Sequence, residues 1–153
     1  MSEDGDDSNM EGVLARAQAA IAELAKSYSV WAMADLDRCR ALLGEARTDS
    51  ALRSVKLGEL YGIAHNIKGQ GSSFGYPLMT QVGHSLCVFT RPAQDQADGN
   101  QPDRAFDERE LGVIQSHLDA MRLILTKEIR GDGGETGRKL AQRLEAMVRE
   151  VQG

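Results

Sequence analysis

Apolar positions along this chain recur at intervals of three and four. In the run VLARAQAAIAELA, Val13 to Ala25, they put Val13, Ala17, Ile21 and Leu24 on one face of a helix. A second stretch, Val30 to Ala46, carries Trp31, Met33, Leu36, Leu42 and Leu43, with Ser27 or Ser29 as its cap. The two stretches read as two helices or as one bent helix. Thr48-Asp49-Ser50 is a cluster of capping residues, and a long helix is expected behind it to about Phe74. Gly75-Tyr76-Pro77 stops that helix. Pro77 suits the first position of the next one, where its missing N–H costs nothing. The next helix reads to about Phe89 through Leu78, Val82 and Leu86, and Arg91 to Gln101, rich in Pro, Asp, Asn and Gly, reads as a surface loop.

The best-marked helix start follows. Asp107 and Glu110 have the spacing of a capping box, and Phe106 and Leu111 that of a hydrophobic staple. The stripe Leu111, Ile114, Leu118, Met121, Leu125 continues from there until Gly131-Asp132-Gly133-Gly134, after which Thr136 is the expected cap of a last helix, Gly137 to Val151. No segment alternates with the period of two that a strand needs. Helices that each carry one apolar stripe pack as a bundle, so residues 11–151 are expected to form an all-α bundle. Residues 1–10, with four acids and little to bury, are expected to be a disordered tail.

Composition narrows the function. A chain of 153 residues favours a single domain. With 41% hydrophobic but only 5% aromatic residues, it leans toward packed helices. A net charge of -5 argues against nucleic acid and against an anionic membrane surface as partners. No apolar run approaches the roughly 20 residues of a membrane helix. The acidic start has neither the positive charge nor the apolar segment of a secretory signal, so a cytoplasmic location is expected. Cys39 and Cys87 have no metal-like spacing and read as reduced structural cysteines. Bundle metal sites want inward carboxylates and an ExxH pairing, which no helix here offers.

The candidate chemistry lies in AHNIKGQGSSFG, Ala64 to Gly75. On a helical wheel, Leu52, Val55, Leu60, Ile63, Ile67 and Phe74 cluster on one side and His65 lies nearly opposite, so it should face solvent. Lys68 and Gly69, three and four residues on, share its face, and Tyr61 and Ser72 lie on the same side in opposite directions. Gly58, Gly62, Gly69 and Gly71 all fall in this one helix, each at a cost of about 1 kcal/mol relative to Ala. Close helix packing explains Gly71. Gly69 points outward, where its use is clearance for an approaching partner backbone. Lys68 is placed to neutralise a phosphoryl group on the imidazole. An ordinary solvated surface histidine is the plain alternative. His84 also faces outward, but its helical neighbours Cys87 and Val88 supply no cation and no clearance. His117 borders an apolar stripe and reads as a satisfied, partly buried histidine.

Ala64-His65, apolar Ile67, Lys68-Gly69, the small residues Gly71, Ser72 and Ser73, and Gly75 together resemble the motif of the histidine-containing phosphotransfer (HPt) family, in the variant of its small stand-alone bacterial members. The likeness extends through the helical layout to roughly residues 28–130. It implies an antiparallel four-helix bundle with additional N- and C-terminal helices, and His65 as the phosphoacceptor in mid-helix. Lys68 would stabilise the phosphoryl group, and Tyr61, Gly69 and Ser72 would bind the partner. The resemblance further implies a phosphorelay intermediate that is a carrier rather than an ATP-dependent kinase. Its partners would be response-regulator receiver domains and a sensor or hybrid histidine kinase. It would hold no cofactor of its own, the Mg²⁺ of transfer belonging to the receiver. The sequence agrees in lacking a GxxxxGK[ST] loop or a kinase motif set. The acidic start, the helical region Val13 to Ala25 and the Gln101-Pro102 region are not explained by the motif. A receiver-binding or adaptor module that never carries phosphate is the alternative reading.

Overall fold

The computed structural model describes residues 3–99 and 106–152, and among these every regular element is helical. Helix α1 spans Glu3–Thr48, α2 Arg53–Gly71, α3 Pro77–Ala97, α4 Glu108–Thr126 and α5 Gly134–Gln152; a 3-10 turn, Ser72–Phe74, closes α2.

Side-chain contacts fix the topology. Tyr28 on α1 reaches Ile67 on α2, while Arg53 at the start of α2 reaches back to Ala46, so the two helices run antiparallel. Lys68 meets Gly83 and Ser54 meets Gln96, which sets α3 antiparallel to α2. Ser85 bonds His117, and Arg122 pairs with Asp37 while Arg47 pairs with Glu108. Helix α4 therefore runs antiparallel to both α3 and α1 and closes a four-helix bundle. Helix α5 is the addition: it lies on α3 and α4 and buries Ala141 and Leu144.

At several boundaries the tertiary fold overrides the local signals. Helix α1 is unbroken across Ser27 and Ser29, because nothing between Lys26 and Val30 stops a helix and Tyr28 anchors that turn. Its hydroxyl donates to the Ile67 carbonyl at 3.0 Å, and its ring packs on Trp31, Phe74 and Tyr76. The helix also runs back to Glu3, through the segment expected to be a disordered tail.

Thr48-Asp49-Ser50 forms a turn instead of capping α2. The Thr48 hydroxyl donates to Glu45 O and Asp49 accepts from Ala51 N, and the helix starts only at Arg53. Arg53 then ties the corner together, donating to the carbonyls of Ala46 and Phe106, both at 2.8 Å. In this register Leu52 and Val55, expected in the core, are 45% and 48% exposed, and Leu57 is fully buried in their place.

Helix α3 does not end near Phe89. It continues through Pro92 to Ala97, over most of the expected loop; Asp98 and Gly99 form a turn at its end, and Gln101 and Pro102 lie outside the described residues. Pro92 lacks the N–H that would bond the Val88 carbonyl. Tertiary packing offsets that loss: Ala93 is fully buried and the Ser54 hydroxyl donates to Gln96 at 2.7 Å. The Asp107–Glu110 capping box forms as its spacing indicates, at 2.9 and 3.2 Å. Helix α4 ends at Thr126, ahead of the glycine cluster, and α5 starts at Gly134, whose N–H bonds Asp132 at 2.8 Å; Thr136 is not its cap. No helix among the described residues is long and apolar enough to cross a membrane.

Candidate functional site

Residues on α2 alternate between core and solvent. Ala64 and Ile67 are fully buried, and His65, on the opposite arc, is exposed as the helical wheel requires. The Tyr61 ring lies one turn back, 5.9 Å from the imidazole centroid and tilted by 38°. Nothing lies within 4 Å of where a Gly69 side chain would begin, so the surface beside His65 is open.

Lys68 is half-buried rather than exposed, because α3 comes very close to it. A Cβ on Gly83 would stand 2.9 Å from Lys68 Cβ and 3.3 Å from its Cα, so only glycine permits this approach. Thr80, one turn earlier on α3, locks the same seam. Its hydroxyl donates to the Lys68 carbonyl at 2.9 Å and accepts from Ser72 N at 2.9 Å. The end of α2 is thus held by α3, and Gly71 is small for the same reason: a Cβ there would meet Thr80 and Tyr76. Gly75, at φ 87°, then turns the chain into α3 in the left-handed conformation that favours glycine.

The seam opens into a cleft of about 100 Å³, lined by Tyr61, His65 and Lys68 from α2 and by His84, Cys87 and Arg91 from α3. Sequence reasoning missed two of these. His84 lacks a cation among its own helical neighbours, but the adjacent helix brings Lys68 into the same cleft, and Arg91 comes from two turns along its own helix. The signal was present as spacing 84, 88, 91 on one face of α3, but the expected end of that helix near Phe89 hid Arg91. Lys68 makes no ion pair among the described residues, whereas the exposed Arg91 forms a long ion pair, 4.0 Å, with the half-buried Asp95 one turn on. Ser72 is engaged by Thr80 at 3.0 Å and does not line the cleft.

The cleft continues through Lys68, His84 and Val88 into a groove of about 670 Å³ between α3 and α5, whose far side carries Glu145 and Arg149. A groove of about 740 Å³ between α4 and α5 is larger but touches none of the candidate residues.

The remaining titratable groups are structural. Burial pushes the Cys87 thiol up to about 11, against the opposing pull of Lys68, and pushes Cys39 up to about 12. Both cysteines are free and buried. His117 is fully buried: Nδ1 donates to the Val113 carbonyl at 2.8 Å, which leaves Nε2 to accept from the Ser85 hydroxyl at 2.9 Å. Burial holds its pKa below the ordinary imidazole value. Among the described residues no three His, Cys, Asp or Glu side chains gather as metal ligands.

Chemically, the cleft presents an accessible imidazole nitrogen as a nucleophile, with two cations beside it that can hold an anionic group. Comparison with family models, with curated proteins and with solved structures finds no match to this chain.

Proposed function

We propose that this protein is a phosphorelay intermediate of the HPt kind, accepting a phosphoryl group on His65 from the aspartyl phosphate of a receiver domain and passing it to another. The observation that carries the reading is the coincidence of an outward imidazole, Lys68 and Arg91 in one cleft, with open surface over Gly69. In the transfer, an imidazole nitrogen of His65 attacks phosphorus. The P–O bond to the receiver's aspartate breaks, the carboxylate leaves, and the imidazole carries the phosphoryl group as a phosphoramidate. Lys68 and Arg91 offset the negative charge that arrives. Tyr61 lies beside the ring, where it forms one wall of the cleft. The chain acts as a carrier without ATP-dependent kinase activity and needs no cofactor of its own, the Mg²⁺ belonging to the receiver. Its partners in this reading are response-regulator receivers and an upstream sensor or hybrid kinase, in the cytoplasm.

The test is incubation with phosphorylated receiver domains, followed by mapping of the label. Acid-labile label on His65, lost in His65→Gln with helicity unchanged, is the expected result. Equal labelling of wild type and His65→Gln would refute the assignment. Receiver binding with no label on either protein would point instead to an adaptor.

A further inference from the structure

His84 has no part in the transfer as drawn above, although it stands on the α3 wall of the His65 cleft. Its side chain is exposed and makes no hydrogen bond or ion pair among the described residues. The residues around it favour an anion. No carboxylate lines the cleft, which holds Lys68 and Arg91. In the adjoining α3–α5 groove, His84 shares the lining with Glu145 and Arg149 of α5, and Glu145 forms no ion pair with it.

The register of α2 against α3 brings His84 close to the reacting ring. Gly83 stands opposite Lys68, where the two backbones approach most closely. The helices are antiparallel, so His65, three residues before Lys68, is level with Leu86. At a rise of 1.5 Å per residue, His84 is about 3 Å along the axis from that level, and Arg91 about 7.5 Å away on the other side. Both line the cleft, with Cys87 and Val88 between them. A group carried on the imidazole is thus bracketed by His84 and Arg91, with His84 the nearer of the two. Arg91 is also drawn toward Asp95, at 4.0 Å, whereas His84 is free of any such pairing.

A phosphoryl group on His65 has three terminal oxygens that share its negative charge. An imidazole offers one N–H when neutral and two when cationic, so it can donate to such an oxygen in either state. Hydrogen bonds to an ionised acceptor are the strong ones.

We propose that His84 donates an imidazole N–H to a phosphoryl oxygen on His65 and holds the group from the α3 wall, while Lys68 holds it from α2. This rests on the phosphocarrier reading.

The test uses the full chain and a receiver domain that labels His65, and measures how label divides between the two at equilibrium. His84→Ala should lower the equilibrium constant for transfer onto this chain by about tenfold, the effect of one hydrogen bond to a charged group. His84→Gln keeps an N–H donor and should restore most of that loss. Both changes fall at an exposed site, so the helical signal should stay as in wild type. An equilibrium constant unchanged in His84→Ala overturns the proposal, with the phosphocarrier reading intact. So does a His84→Gln protein as impaired as His84→Ala, or label recovered on His84 itself. A wild type that takes no label from any receiver overturns the phosphocarrier reading and the role of His84 together.

Discussion

Gly69 and Gly83 offer the same substitution, glycine to alanine in mid-helix, in two opposite surroundings. The helical gain is common to both, about 1 kcal/mol. At Gly69 the new methyl meets nothing within 4 Å, so the gain should appear in full. For a domain of this size that is a rise in Tm of about 2–4 °C. At Gly83 the methyl would stand 2.9 Å from Lys68 Cβ and 3.3 Å from its Cα. Neither atom is the free end of a flexible side chain, and Thr80 holds the seam closed one turn away. Overpacking of this kind costs about 1–3 kcal/mol, which cancels or exceeds the gain. The two variants should therefore separate by about 1–3 kcal/mol in urea denaturation, with Gly69→Ala the more stable. The functional consequences differ too. Gly69→Ala should transfer phosphate at or below the wild-type rate, and Gly69→Gln should block docking, whereas Gly83→Ala should act by displacing Lys68. A Gly83→Ala protein as stable as Gly69→Ala would show that α2 and α3 are not in close contact at Lys68. A more stable Gly69→Gln protein that still exchanges phosphate at the wild-type rate would remove the proposed docking face around His65.

Arg91→Ala should leave stability within about 0.5 kcal/mol, being a surface change, yet shorten the lifetime of phosphohistidine; Lys68→Ala should shorten it as well, and the double variant more than either. Unchanged lifetimes in all three would make both residues bystanders. Because burial holds the His117 pKa below its ordinary value of 6.5, the folded chain binds that proton more weakly than the unfolded one. The stability His117 contributes is full above about 6.5 and is lost as pH falls from there toward the lowered folded value. The urea midpoint of wild type should therefore fall more steeply between neutral and mildly acidic pH than that of His117→Gln, and parallel slopes would contradict this. Asp107→Ala breaks the capping box of α4 and should cost about 1 kcal/mol, read as a lower urea midpoint.

Interactions between residues three and four apart were legible in the sequence. The outward direction of His65, the capping box at Asp107 and the entry of α3 at Pro77 each rest on such neighbours or on one helix face, whereas His117, expected to be partly buried, is fully buried and is satisfied from its own helix by Val113 and from α3 by Ser85. Where a helix ended was decided by its packing instead. The capping serines of α1 and Pro92 of α3 both mark breaks on local chemistry, yet Tyr28 and Ala93 are buried against neighbouring helices and hold the backbone helical through those points. The same applies to the core of α2, where the corner made by Arg53 sets which apolar residues turn inward and leaves Leu52 and Val55 outside. The composition of the cleft belongs to tertiary structure as well. Periodicity relates a residue to its own helix, so it could align Lys68 and Gly69 with His65. It could not bring His84 and Arg91 across from α3, because the register between two helices is set by where their backbones come closest, here at Gly83.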